Sequence, residues 1–178
     1  MTLHGERILL RPIVMADAKR FARWFSDPAV HKFTLRRRVT LKEERQWIRG
    51  LKRKEKHFFA IDTRDGAHIG SVGLHVLYKT DKSAVVGILI GDKRYWNRGF
   101  GTDAMKTILR YGFQKLKFHR IELGVYAYNP RAIHVYKRLG FKYEGRQRRA
   151  IRWRNAYYDR LIMGMLREEW ARFNTSKK

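Results

Sequence analysis

Cysteine is absent from this chain of 178 residues. That excludes disulfides, thiolate metal ligands and a cysteine nucleophile, and it is compatible with a reducing compartment. Proline is scarce, and no Pro/Ser/Gly-rich linker, internal repeat or low-complexity stretch marks a domain boundary. Long apolar runs are missing as well. The longest, "AVVGILIG" from Ala84 to Gly91, falls well short of the roughly 20 residues a membrane helix needs. Only the short run Ile8-Leu9-Leu10 precedes Arg11, too little for a secretory leader. The expectation is a soluble, cytoplasmic protein of one domain over residues 1–178, its core about 7–168 and its end, 169–178, a polar tail.

Negative charge is also in short supply. Against 41 Lys and Arg stand 16 Asp and Glu, a formal net charge of +25. Such a surface attracts polyanions, whether nucleic acid, ribosomes or phosphorylated cofactors. The plainer reading is a solvated surface. Apolar residues make up 44% and aromatics 13%, as in a globular domain with one sizeable core.

Periodicity orders the elements. "RILLRPIV" reads as a strand, and "ADAKRFARWFSD" as a helix with Ala18, Phe21, Ala22 and Phe25 on one face, stopping at Asp27-Pro28. "TLKEERQWIRGLKRK" opens on Thr40 with Glu43 three residues on, a capping box. "HFFAID", "HIGSVGLHVLY" and "SAVVGILIG" follow with short connections that predict antiparallel pairing. A helix over 101–117, the strand "RIELGVYAY" and the helix "PRAIHVYKRLG" alternate, which predicts a parallel pair. Two strands near 142–152 and 157–166 complete a mixed α/β pattern around one sheet.

Between the third of those strands and the helix at 101 lies "YWNRGFGTDA". Two glycines one residue apart at a helix start bring bare N–H groups together, where a phosphate would sit. "GFGTDA" matches G-x-G-x-x-A with Glu122 about 20 residues on. However, "DKRYWNR" separates it from its strand, Glu122 begins the next strand rather than ending it, and too little chain remains for a second nucleotide-binding half. A Walker lysine is missing too. Both nucleotide-fold readings fall.

A second motif, "NPRAIHVYKRLGF", follows the strand at 120–128 directly. Asn129 is a natural N-cap, Pro130 fits the first helical position, and Gly140 closes the helix. With R-G-x-G some 30 residues before it, this segment resembles the GCN5-related N-acetyltransferase (GNAT) family. The likeness spans nearly the whole chain in element order and is strongest to the branch that acetylates ribosomal-protein N-termini and spermidine. It implies a single α/β (mixed α+β) domain with helices on both faces of a mostly antiparallel sheet, whose parallel pair splays at the cofactor site. It implies acetyl-CoA as cosubstrate and no metal. The pyrophosphate would lie on N–H groups of Arg98, Gly99, Phe100, Gly101 and Thr102, and the pantetheine arm on main chain of Ile88, Leu89, Ile90 and Gly91 and on Asn129. Trp96 stands where the family carries Gln or Arg, so Arg94 or Arg98 would supply that side-chain contact. Tyr136 would be the general acid that protonates the leaving thiolate.

Without cysteine, direct attack by the amine is favoured over an acyl-enzyme. The general base stays open among Glu122, His75, Asp159 and ordered water. The net charge argues against a polycationic acceptor and for a protein N-terminus, such as that of a ribosomal protein. Polyamines and small amines of the aminoglycoside kind are the alternatives. An inactive acetyltransferase-like fold that binds RNA is the competing class. The basic segments 35–39, 49–57 and 146–154 suit weak RNA or ribosome association, with Arg146, Arg148 and Arg152 on one strand face and Trp153 on the other. No membrane association is expected, and the protein would be a monomer or homodimer.

Overall fold

The computed structural model describes residues 1–34, 39–51, 57–78 and 80–175. In order these form β1 (Leu3–His4), β2 (Ile8–Pro12), α1 (Ala18–Ser26), α2 (Pro28–Thr34), α3 (Leu41–Leu51), β3 (His57–Thr63), β4 (His68–Tyr78) and β5 (Ser83–Ile90). Then come α4 (Phe100–Arg110), β6 (Arg120–Tyr126), α5 (Pro130–Arg138), β7 (Lys142–Trp153), β8 (Ala156–Leu166) and α6 (Arg167–Thr175). The strands order as β1-β2-β3-β4-β5-β6-β8-β7. Pairing is antiparallel for β1–β2, β2–β3, β3–β4, β6–β8 and β7–β8, and parallel for β5–β6. The mixed α/β class and the expected parallel pair are both present. The chain divides into two compact units, Met1–His75 with Gly87–Ile108 and Val76–Val86 with Leu109–Lys178, so β4 and β5 each run through both.

In the first unit, α1 follows the spacing of its apolar residues. Ala18, Phe21, Trp24 and Phe25 are buried and cluster with Val30 of α2 and Ile48 of α3. Each large side chain so buried contributes about 1.5–3 kcal/mol relative to exposure. The helix α1 stops at Asp27-Pro28 as expected, and a second helix, α2, not expected from the sequence, begins there. The Asp27 carboxylate accepts the Ala29 N–H at 2.9 Å, and Pro28 fits a first helical turn, so the pair ends one helix and caps the next. The capping box of α3 is formed: the Thr40 N–H donates to Glu43 Oε2 at 2.8 Å and the Glu43 N–H to Thr40 Oγ1 at 3.2 Å. The expected continuation of this helix through Lys54, and most of the basic segments 35–39 and 49–57, lie outside the described residues.

In the second unit, β6 alternates as expected, with Ile121, Leu123 and Val125 buried. The helix expected over 101–117 changes character at Tyr111–Lys115, where the Leu116 N–H reaches back five residues to the Tyr111 carbonyl at 3.1 Å. Residues 169–175 of the expected polar tail belong to α6. The Glu169 carboxylate accepts the Leu166 N–H at 2.9 Å, and Trp170 stacks on Phe113 with ring centres 5.6 Å apart. Trp170 thus anchors the helix to the preceding core. The β7–β8 hairpin turns at Arg154, in the left-handed region at φ 53°, with Trp153 opposite Ala156. Its register slips between Gln147 and Ile151, where Arg149 takes φ 50°.

Candidate active site

The glycine turn is built by three features of the first unit. Asn97 (φ 58°) and Gly99 (φ 84°) both take left-handed backbone, which turns the chain sharply into α4. The first helical bond runs from the Asp103 N–H to the Gly99 carbonyl at 3.0 Å. Ahead of it, the N–H groups of Arg98, Gly99, Phe100, Gly101 and Thr102 have no acceptor among the described residues. Five successive donors without a protein acceptor thus lead into a helix N-terminus, the kind of place that binds a phosphate. A Cβ on Gly101 would meet only Ile90 Cγ1, at 3.5 Å, so the space before the helix is open.

Arg7, which nothing in the sequence marked, belongs to this turn. Its Nη1 donates to the Arg98 carbonyl at 2.6 Å, its guanidinium lies 4.7 Å from the centre of the Phe100 ring, and Asp103 holds its backbone N–H at 2.7 Å. A partner 91 positions upstream leaves no local signal. Arg94 is engaged with Asp92, and Arg98 lies 5.9 Å from the Tyr95 ring centre. Trp96 is part of the framework. Its indole N–H donates to the Ile90 carbonyl at 2.7 Å, and its ring packs on the α1–α3 cluster.

Of the main chain expected to meet the pantetheine arm, Ile88, Leu89 and Ile90 are half-buried at the end of β5. The Ile90 carbonyl is taken by Trp96, and the Gly91 N–H donates to the Ile69 carbonyl at 2.9 Å. Gly91 has no room for a side chain because the Trp24 indole lies against it. The parallel register of β5 with β6 comprises Ser83–Arg120, Ala84–Ile121 and Val85–Glu122, the first three residues of each strand.

The second unit carries the other motif. The Asn129 side-chain oxygen accepts the Ala132 N–H at 3.2 Å, an N-cap of α5 with Pro130 in its first turn. Its amide hydrogens remain available to a ligand. Gly140 (φ 96°) closes the helix as its position implied. Tyr136 sits on α5 against Phe141, with ring centres 6.0 Å apart, and its hydroxyl has no protein partner among the described residues. Burial pushes its phenol up to about 12, so it is a protonated acid at neutral pH.

The three side chains proposed as base are not equivalent. Glu122 pairs with Arg120 at 2.9 Å, and Arg120 also holds Glu144. Asp159 accepts the Arg149 N–H at 2.7 Å and pairs with Arg146. The Arg149 N–H, followed by Arg146, holds its carboxyl below the usual range. His75 is exposed on β4, edge-on to Phe58. Both carboxylates are therefore committed to arginines. Among the described residues no group of His, Asp and Glu is arranged to hold a metal, and no helix is long and apolar enough to cross a membrane.

Known proteins are similar to this chain in sequence and in fold. The acetyltransferase (GNAT) domain family matches residues 7–142. The chain is 27% identical over 176 residues to p20 of Bacillus licheniformis, named an uncharacterized N-acetyltransferase, covering 96% of this chain and 98% of that one. Partial matches are YdaF of Bacillus subtilis, provisionally named a ribosomal N-acetyltransferase (27%, 60% of this chain and 57% of that one), and the spermidine N(1)-acetyltransferase of Escherichia coli (36%, 46% and 43%). The fold superposes on the spermidine N-acetyltransferase of Vibrio cholerae, solved with CoA and spermine, at a TM-score of 0.87 and 22% identity, covering 94% of this chain and 99% of that one. With its glycine turn, its capped α5 and this match, the chain belongs to the GNAT family of N-acetyltransferases.

Proposed function

We propose that the chain works as one catalytic domain that moves the acetyl group of acetyl-CoA onto a protein N-terminal α-amine, such as that of a ribosomal protein, by direct attack in a ternary complex. The observation that carries this reading is the set of five free N–H groups at the Gly99 turn. These donors and the dipole of α4 would hold the pyrophosphate, with Arg98 beside them. Main chain of Ile88 and Leu89 and the Asn129 amide would hold the arm. When bound, the cosubstrate supplies an acetyl thioester with a thiolate leaving group. Tyr136 then donates its phenolic proton to that thiolate, and its raised pKa keeps the proton in place until it is needed. With Glu122 and Asp159 tied to arginines, ordered water or His75 is left to take the proton from the amine. An α-amine, with a pKa of about 8, loses its proton far more readily than a lysine-like amine at about 10.4.

The alternative acceptor is a polyamine, as the names of two relatives suggest. The charge pattern of the second unit speaks against it. Glu122 and Glu144 are engaged by Arg120, Asp159 by Arg146, and Glu169 by Lys142, so these carboxylates are not open to a polycation. Weak association with RNA would follow from the net charge alone. The test is thiol release from acetyl-CoA by the purified protein against peptides, spermidine and aminoglycosides. Turnover with a peptide α-amine exceeding that with spermidine supports the proposal, and the reverse order transfers it to polyamines. A thermal-shift response to NAD but not to acetyl-CoA would overturn it altogether.

A further inference from the structure

Gly124 sits in the middle of β6, where glycine weakens a strand and no left-handed backbone requires it. The reason for it lies on the neighbouring strand. Arg160 of β8 stands opposite Tyr126, and its guanidinium lies across Gly124, where a Cβ would collide with Nε, Cζ and Nη2. Around it the tyrosines cluster: Tyr126 and Tyr128 stack with ring centres 5.5 Å apart, and Tyr128 meets Tyr158 edge-on at 4.7 Å. Arg160 is half-buried, yet its guanidinium has no hydrogen-bond or ion-pair partner among the described residues. Arginines on the neighbouring strands β6 and β7 are matched, Arg120 to Glu122 and Glu144, and Arg146 to Asp159. A seat cut into a strand for one cation, with no anion supplied to it, points to an anion from outside.

The place is tied to the start of α5. The Ala127 N–H donates to the Asp159 carbonyl at 3.0 Å, and the Asn129 N–H to the Tyr126 carbonyl at 2.9 Å. The strand end that carries Arg160 therefore fixes the turn that positions Asn129. A guanidinium offers paired N–H donors whose spacing fits a carboxylate. Its partial burial also makes such a pair stronger than one on open surface. The arginines at 148, 152 and 154, by contrast, are exposed and have no such seat.

We infer that Arg160, seated on Gly124 among Tyr126, Tyr128 and Tyr158, is a subsite for a carboxylate carried by the acceptor amine. The inference rests on the acyl-transfer reading above and narrows its acceptor class to acidic amines. The carboxylate has two sources, an acidic side chain next to a peptide α-amine or the α-carboxylate of a free amino acid. Either one disfavours polyamines, because a cation approaching Arg160 is repelled.

Calorimetric titration in the presence of CoA tests this without needing turnover. The probes are the peptide amides Ser-Glu-Ala-Ala and Ser-Gln-Ala-Ala, and serine against serinamide. The charged member of at least one pair should bind about 10-fold to 100-fold more tightly, the range of a hydrogen bond to a charged group. Arg160→Gln should erase that difference while leaving the neutral member's affinity unchanged. Gly124→Ala, which displaces the guanidinium but keeps the charge, should weaken the preference too. Preference within the peptide pair alone identifies the side-chain source, and preference for serine over serinamide identifies the α-carboxylate. Equal binding within both pairs by the unaltered protein overturns the subsite, as does an equal loss for charged and neutral probes in Arg160→Gln. If the preference is present but no acceptor is acetylated, the acyl-transfer reading fails and the anion subsite stands.

Discussion

The indole N–H of Trp96 donates to the Ile90 carbonyl at 2.7 Å, fastening the turn ahead of Gly99 to the last residue of β5. The same ring packs edge-on to Phe33 of α2, with ring centres 6.1 Å apart. Trp96 thereby fills a structural place at a position where the family carries a polar side chain. Trp96→Phe should lower stability by about 1 kcal/mol, the net value of one hydrogen bond. Trp96→Ala should cost about 2–4 kcal/mol through lost packing. Urea denaturation measures both. Affinity for acetyl-CoA should change little in the Phe variant, because the backbone donors of the turn remain. A large loss of affinity there would make the indole a cofactor contact.

Tyr136→Phe should reduce kcat roughly 10²-fold, the usual scale for removing a positioned general acid. The wild-type phenol, pushed up to about 12 by burial, stays protonated throughout the accessible pH range. The rate should therefore rise with pH as the acceptor amine loses its proton, near 8 for an α-amine, and then level off without a falling limb below about pH 10. The Phe variant should keep the same rising limb at a lower plateau. Equal plateaus would reduce Tyr136 to a packing residue.

Much of this was legible in sequence because it is local. The capping box at Thr40 and Glu43, the N-cap at Asn129 and the C-terminal glycine at 140 each act over three or four residues. The alternation of β6 reports its two faces directly. Illegible were the contacts that join distant segments. Arg7 reaches Arg98 across 91 positions, and Trp170 turns a polar tail into α6 by stacking on Phe113. Asp27-Pro28 marks the end of α1 correctly but does not announce α2, since the residues that stop one helix also start the next. The commitment of Glu122 to Arg120 was likewise hidden, because an alternating strand shows which face a carboxylate occupies and not what it meets there.

Asp17 supplies an acid-sensitive element of the first unit. It is almost fully buried, takes both Nη groups of Arg11 at 2.8 Å, and meets His68 Nδ1 at 3.3 Å. Burial alone would push its carboxyl up. The hydrogen bonds from Arg11, His68 and the Val14 N–H outweigh that and hold it far below the usual range. A depressed folded-state pKa means the stabilisation is fully present above the unfolded value of about 3.9 and is lost as pH falls below it. Asp17→Asn should lower stability at neutral pH by about 2–4 kcal/mol, since it leaves Arg11 half-matched, and Arg11's partial exposure limits the loss. Stability measured from pH 7 down to pH 2 should then fall less steeply in the variant. Parallel curves would assign the acid response to other carboxylates.

The two glycines of the turn separate folding from binding. Gly99 holds φ 84°, so Gly99→Ala should cost about 1–2 kcal/mol in stability and weaken acetyl-CoA binding as the turn relaxes. Gly101 has ordinary helical backbone, and a Cβ there meets only Ile90 Cγ1 at 3.5 Å. Gly101→Ala should therefore keep or raise the melting temperature, because alanine is favoured over glycine within a helix by about 0.5–1 kcal/mol. If the pyrophosphate lies on this turn as proposed, the added methyl group crowds it. Acetyl-CoA affinity should drop about tenfold or more, equivalent to about 1.4 kcal/mol. Calorimetry on the folded Gly101→Ala protein reads this directly. Undiminished binding would mean that the phosphates do not lie on the Gly99–Gly101 turn, and the reading of the five free N–H groups would have to be given up.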